Sequence, residues 1–221
     1  MLWILILCAV LGNVGSFLLM LHDVKKHEEL YPQWKNSKIP QKELIYTIIM
    51  FCVSIALIIF ITLFYTQNAW YFTLKRVFVI VLLWPIGYID FKTYRIPNTY
   101  VLFGLLLRLI GFIVELFCKK PDVWRGLLVD FIVALIVLVV AFLCTIFVKD
   151  GIGFGDMKLM AVLCLLLGVE GAWSAIFVSL LVSFFASLVL LLRKKKSRKD
   201  AIPFGPAIMV GTYLSIFLTG M

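Results

Sequence analysis

Apolar runs of about twenty residues, alternating with short polar segments, dominate the sequence. A helix needs roughly 17–25 apolar residues to cross the hydrocarbon core of a membrane. The chain is 63% hydrophobic and only 15% charged, which excludes a soluble globular protein. We therefore predict an all-α, polytopic membrane protein, a single membrane domain over residues 1–221 with about eight transmembrane helices. The predicted helices cover residues 2–21, 44–65, 77–89, 99–118, 126–148, 159–168, 172–192 and 207–219. The third of these is short for a full crossing and is expected to be broken by Pro85 and Gly87.

The basic residues lie mainly in the polar segments between the apolar runs. The net charge of +9 therefore predicts contact with the lipid bilayer surface and no nucleic-acid partner. Most Lys and Arg residues fall in four segments on one side of the predicted topology: residues 22–43, 91–98, 149–158 and 193–206. The positive-inside rule places these segments in the cytoplasm and both termini outside a cytoplasmic membrane.

The cysteines indicate neither a metal site nor disulfides. All five lie within or at the edge of apolar runs, and the sequence contains no CxxC pair. Cysteines in such surroundings behave as small apolar side chains. We predict no metal and no cofactor. The cysteines are Cys8, Cys52, Cys118, Cys144 and Cys164.

Two aspartates stand at the ends of predicted helices. Asp90 directly follows the predicted helix 77–89. Asp156 follows three glycines, at positions 151, 153 and 155, whose backbone can turn sharply and approach another group closely. The predicted topology puts both acids on the cytoplasmic side, so we predict that they form one site.

Two carboxyl groups in proximity can hydrolyse a peptide bond without a metal or a covalent nucleophile. One takes a proton from water while the other donates a proton to the substrate, and the two titrate as a pair. An acid at a helix end can instead cap the helix or pair with a nearby cation, and Lys92, Arg95 and Lys158 are such cations. The glycines before Asp156 and the shared side favour the catalytic hypothesis for Asp90 and Asp156.

Charged residues inside the apolar runs predict an internal ion network. Arg108 and Glu115 are seven residues apart, which is two helical turns on one face, and Asp130 lies in the next run. Ionisable groups in membrane helices pair with one another. We expect this network to brace the fourth and fifth predicted helices.

Two short sequence blocks surround the two acids, and a third lies near the C-terminus. Each block contains glycine or proline, and the first two also contain the acids Asp90 and Asp156. They are Ile89-Asp90 with Ile96-Pro97-Asn98, then Gly153-Phe154-Gly155-Asp156-Met157-Lys158-Leu159, then Pro203-Phe204-Gly205-Pro206.

In this order and spacing, the blocks resemble the type IV prepilin peptidases, membrane aspartyl proteases of the GxGD type. The resemblance covers residues 77–220, which we take as the peptidase core. It implies that Asp90 and Asp156 are catalytic. It further implies an aspartic endopeptidase that removes the short basic leader from type IV prepilin or pseudopilin precursors at the cytoplasmic membrane face.

Five residues around the acids are assigned supporting roles. Gly153 and Gly155 are expected to let the backbone near Asp156 approach the substrate, and Lys158 to tune that acid. Pro97 and Pro203 are expected to shape the loops at the cytoplasmic mouth.

The segment 22–43 departs from the family pattern. Many bacterial members carry a zinc-binding region with two CxxC pairs there, together with N-methyltransferase activity, whereas this segment has no cysteine. The resemblance therefore implies the peptidase activity and not the methyltransferase or the zinc.

Two other classes of function fit the acids. One is an archaeal-type preflagellin peptidase or another GxGD intramembrane protease, since preflagellin peptidases also lack the cysteine region. The other is a proton-coupled transporter or an inactive scaffold. A transporter is expected to hold its acids near the middle of the membrane, whereas the predicted acids lie at helix ends.

Overall fold

A computed structural model of the chain describes residues 2–26, 41–118, 122–147, 153–193 and 202–220. These residues form seven α-helices and, within the same ranges, no β-strand. Six helices are long and apolar enough to cross a membrane, and the seventh is shorter. The predicted all-α, multi-pass membrane architecture is confirmed. The helices are α1 (Leu2–Lys26), α2 (Gln41–Phe64), α3 (Trp70–Thr93), α4 (Asn98–Phe117), α5 (Val123–Phe147), α6 (Phe154–Leu192) and α7 (Gly205–Thr219).

Helix α3 lies at the centre of the bundle. It is buried from Thr73 to Asp90 and packs against α1, α2, α4, α6 and α7. Its apolar side chains point in every direction, as expected of a helix surrounded by other helices. The end of α3 therefore carries Asp90 on the most enclosed element of the fold.

The prediction of a short third helix, broken by Pro85 and Gly87, is wrong. Helix α3 begins at Trp70 and continues through both residues to Thr93. Pro85 has no N–H, so the carbonyl of Val81 loses its helical donor. The hydroxyl of Ser16 on α1 donates to that carbonyl at 3.0 Å. A hydroxyl on a neighbouring helix thus replaces the missing bond.

The predicted ion network is confirmed and includes one more cation. The Arg108 guanidinium lies 3.3 Å from Glu115 and 3.3 Å from Asp130. Because α3 starts earlier than predicted, it also brings in Lys75, whose amine lies 3.0 Å from Glu115. The network therefore joins α3, α4 and α5.

Helix α6 changes direction at Gly168. At φ 74° and ψ −178°, this residue has a conformation that side chains other than glycine rarely adopt. A straight helix of 39 residues would be about 58 Å long, far more than the membrane core of about 30 Å. The break was predicted at this glycine, but residues 154–158, predicted as part of a loop, already belong to the helix. The number of about eight crossings stays a prediction.

The predicted loop 22–43 is shorter at both ends. Helix α1 extends to Lys26, and α2 begins at Gln41. The remainder of this segment, residues 27–40, lies outside the described residues.

Candidate active site

The two aspartates come from opposite ends of two helices and line the same cavity. Asp90 lies in the last turn of α3, and Asp156 lies in the first turn of α6. The cavity has a volume of about 230 Å³. Its lining consists of Asp90, Tyr94, Arg95, Ile96, Gly153, Phe154, Gly155 and Asp156.

The carboxylate of Asp90 is held by the start of α7. The backbone N–H of Gly205 donates to Oδ2 of Asp90 at 2.7 Å. The first N–H groups of a helix have no partner inside the helix and carry partial positive charge, which suits a carboxylate. A Cβ on residue 205 would lie only 2.8 Å from the Cβ of Asp90. Glycine is therefore the residue that allows this approach.

The carboxylate of Asp156 reaches back to the residue that caps its own helix. Gly153 is the N-cap of α6, and its backbone N–H donates to the Asp156 side chain. In a capping box, a side chain in the first turn accepts a hydrogen bond from the backbone N–H of the N-cap residue, and Asp156 makes this contact. The other oxygen, Oδ1, is buried and has no hydrogen-bond partner among the residues described. Asp156 therefore caps the helix with one oxygen and leaves the second available.

The two predicted glycines beside Asp156 have different surroundings. A Cβ at position 153 would lie 3.0 Å from Oδ2 of Asp156. A Cβ at position 155 would lie 2.9 Å from the Cβ of Ile96. Gly155 therefore lets the start of α6 pack closely against the loop between α3 and α4.

The other predicted supporting residues lie around the cavity rather than in it. The amine of Lys158 donates to the side-chain oxygen of Asn98 at 3.1 Å, so it contacts α4 instead of an acid. Pro97 is the N-cap of α4, in an extended conformation. Pro203 lines an adjacent cavity.

This adjacent cavity is larger and mostly apolar. It has a volume of about 550 Å³ and runs between the end of α3, the second part of α6 (residues 169–192) and the start of α7. Tyr94, which has a left-handed backbone conformation at φ 54°, lines both cavities. The two acids therefore lie beside an apolar groove.

Sequence reasoning did not single out Gly205 or Tyr94. Gly205 belongs to the block of residues 203–206, in which the sequence pattern indicates a role only for Pro203. The available signal was Pro206, which favours a helix start directly after Gly205. Tyr94 carries no such signal, because a left-handed tyrosine is uncommon.

The structure is an all-α membrane bundle in which two carboxyl groups line one cavity. It therefore belongs to the class of membrane proteins with a paired-acid site. The chain belongs to the type IV leader peptidase family, whose model matches residues 77–192 and thus both acids. No solved structure matches the chain.

Several curated relatives are similar to part of the chain. The prepilin leader peptidase/N-methyltransferase of Pseudomonas putida is 31% identical over 132 residues, or 58% of this chain and 44% of the relative. The protein of the same name from Stutzerimonas stutzeri gives the same identity and coverage. That of Bacillus subtilis is 35% identical over 65 residues, or 29% of this chain and 26% of the relative. The chain thus spans less than half the length of these curated relatives.

Proposed function

We propose that this protein is an aspartic endopeptidase that removes the leader from type IV prepilin or pseudopilin precursors. The observation that carries the proposal is the cavity shared by Asp90 and Asp156. The name shared by these relatives, prepilin leader peptidase/N-methyltransferase, supports prepilins as the proposed substrates.

In the proposed mechanism, the two carboxyl groups share one proton. The ionised carboxylate takes a proton from a water molecule, whose oxygen attacks the carbonyl carbon of the scissile peptide bond. The protonated carboxyl donates its proton to the departing amide nitrogen as the C–N bond breaks. Two like charges in one cavity disfavour double ionisation, which keeps the proton on the pair. Neither acid is assigned a fixed role.

Asp90 and Asp156 have different supports in this mechanism. The N–H of Gly205 stabilises the charge on Asp90 through a hydrogen bond to an anion. Asp156 keeps the unpartnered oxygen Oδ1, which is a suitable acceptor for a proton from water.

The substrate is proposed to approach through the apolar groove beside the acids. A prepilin carries a hydrophobic helix behind its leader, and the groove of about 550 Å³ offers apolar surface next to the site. The cleaved bond must lie in extended chain, because helical hydrogen bonds occupy the amide carbonyl. The protein is proposed to lie in the cytoplasmic membrane with the acids on the cytoplasmic side and both termini outside.

Other functions have less support. The acids lie at helix ends, while a proton-coupled transporter is expected to hold them near the middle of the membrane. N-methyltransferase activity is not part of the proposal, because segment 22–43 contains no cysteine.

The test is cleavage of a co-expressed type IV prepilin, followed by loss of the leader on a gel. Asp90→Asn and Asp156→Asn are each expected to lower the cleavage rate at least about a thousandfold, since both acids take part in proton transfer. Asp122→Asn is the matched control, because this exposed residue precedes α5 at the other end of the bundle. Its left-handed backbone conformation, φ 56°, also suits asparagine.

Cleavage by either Asn variant at the native rate would contradict the two-acid mechanism. Membrane insertion of each variant is checked on the same samples by protease protection. The mass of the mature product is expected to show a free, unmethylated amino terminus.

A further inference from the structure

A further cavity, partly lined by charged side chains, lies at the end of the bundle opposite the two acids. It has a volume of about 250 Å³ and is lined by Asn68, Lys75, Arg76, Glu170 and Gly171, among others. Arg76 and Asp90 are about 21 Å apart along α3, at roughly 1.5 Å per residue. The cavity is therefore separate from the proposed peptidase site.

Two buried cations line this cavity, and one of them has a hydrogen-bond donor that finds no acceptor among the described residues. Lys75 is 5% exposed and Arg76 is 7% exposed. Lys75 pairs with Glu115, but Nη1 of Arg76 is buried and has no hydrogen-bond partner within the described ranges. An unsatisfied donor on a buried charged group is costly, and a bound anion would relieve that cost.

The buried charges at this end of the bundle do not balance. Lys75, Arg76 and Arg108 are buried here, and among the described residues Glu115 and Asp130 are the buried acids at this end of the bundle. Four of these five groups are joined in ion pairs. The remaining one is Arg76, so the excess positive charge is located at the cavity.

Two helix N-termini add positive potential at the same place. Helix α3 begins at Trp70 with no side-chain cap on its first N–H groups. The second part of α6 begins directly after Gly168, and its first turn contributes Glu170 and Gly171 to the cavity lining. The first N–H groups of a helix favour anions.

Aromatic side chains around the cavity indicate its depth in the membrane. Trp70, Tyr71 and Phe72 form a ring cluster at the start of α3, and Trp173 is exposed on α6. Tryptophan and tyrosine collect where membrane meets water. The cavity therefore lies at the level of the lipid headgroups.

We propose that this cavity binds a phosphate-type anion through the Arg76 guanidinium, with Lys75 and the two helix N-termini completing the positive surroundings. The phosphate of a lipid headgroup and free inorganic phosphate have the same chemistry, and the cavity accepts either. The proposal does not depend on the peptidase activity.

The test uses the purified full-length protein in a phosphate-free maltoside detergent, with thermal unfolding as the readout. Inorganic phosphate and phosphatidylglycerol are titrated separately, with diacylglycerol as the phosphate-free lipid control. The native protein is expected to be stabilised by phosphate, by phosphatidylglycerol or by both, and not by diacylglycerol. Stabilisation by the phospholipid alone would identify the headgroup as the source.

The Arg76→Gln variant is expected to bind the anion at least about tenfold more weakly, because it loses the charge and the forked donors. Arg125→Gln is the matched control, since this exposed arginine lies at the start of α5 and does not line the cavity. It is expected to bind as the native protein does.

Glu170→Gln distinguishes anion binding by Arg76 from a structural role in which Arg76 only balances the charge of Glu170. Glu170 is exposed and lines the cavity, and it forms no ion pair with Arg76. Removing its charge is expected to strengthen anion binding. Weaker binding in Glu170→Gln, native binding in Arg76→Gln, or a native protein that no phosphate source stabilises would each overturn the proposal. The Glu170→Gln and native measurements decide the question even if Arg76→Gln fails to fold.

Discussion

At the scale of single residues, the contact between Gly205 and Asp90 determines how the site is built. The backbone N–H of Gly205 reaches the carboxylate at 2.7 Å only because residue 205 has no side chain. The same position supplies a helix N-terminus to the acid. The carboxylate is therefore fixed by backbone, which is harder to displace than a side chain.

We predict that Gly205→Ala lowers the rate of prepilin cleavage by about a hundredfold. The added Cβ would lie 2.8 Å from the Cβ of Asp90, so the acid or α7 must move, and shifts of about 1 Å at a reacting group have effects of this size. Cleavage is measured in membranes with equal amounts of each variant. Gly15→Ala is the matched control, because a Cβ there has no neighbour within 4 Å. Equal rates for the two variants would refute this role of Gly205.

How much of the site could be predicted differs between its residues. Asp90 and Asp156 stood out because charges at the ends of apolar runs are costly and therefore informative. Gly205 did not, because its importance depends on where α7 meets α3, which are far apart in the sequence. Lys158 was expected to act on Asp156, but its neighbour in the fold is Asn98.

At the scale of helices, α3 shows how one helix depends on another. Pro85 was expected to end or break the helix, and the hydroxyl of Ser16 prevents this by donating to Val81. Lys75 and Arg76 were expected in a loop, because charges usually lie outside the membrane. The acidic partner of Lys75 on α4, Glu115, makes a helical position possible for that lysine. Neither Ser16 nor the acidic partner of Lys75 lies close to α3 in the sequence, so local sequence patterns do not reveal these contacts.

We predict that Ser16→Ala destabilises the protein by about 0.6–2 kcal/mol, because the Val81 carbonyl loses its donor inside the membrane. The same change is expected to have almost no effect in a Pro85→Ala background, where the residue 85 N–H can donate to Val81. The free energy of unfolding in detergent is measured for both single variants and the double variant.

The matched control for this cycle is Ser187→Ala. The Ser187 hydroxyl donates to a carbonyl of its own helix, that of Ser183, so no bond between helices is lost. Additive effects of Ser16→Ala and Pro85→Ala would show that the hydroxyl does not compensate for the proline.

At the scale of the whole molecule, the two ends of the bundle have different chemistry. Asp90 and Asp156 lie at one end beside the apolar groove, and the cavity with the unpaired Arg76 lies at the other end, next to the ion network. The all-α membrane class followed from composition and the length of the apolar runs. The positions of the two cavities at opposite ends of the bundle could not be predicted in this way, because they depend on how the seven described helices pack.

We predict that the two ends lie on opposite sides of the cytoplasmic membrane, with the acids inside. Single cysteines are introduced as Arg95→Cys and Asp122→Cys in a chain whose native cysteines are replaced by alanine. Both positions are exposed, the first beside the acids and the second between α4 and α5. A membrane-impermeant maleimide is expected to label Asp122→Cys in intact cells and Arg95→Cys only after the membrane is opened. Labelling of both positions in intact cells would contradict this orientation.

The dependence of α3 on its neighbours also bears on how the protein is made. This helix is the least apolar of the six that could cross a membrane, and it carries Lys75, Arg76 and Pro85. Alone in lipid during synthesis, it would expose two charges and an unpaired carbonyl. Ser16 precedes α3 in the chain, but Glu115 and Asp130 follow it and are inserted later. Helix α3 is therefore expected to reach its final position in the membrane only after α4 and α5 have been synthesised.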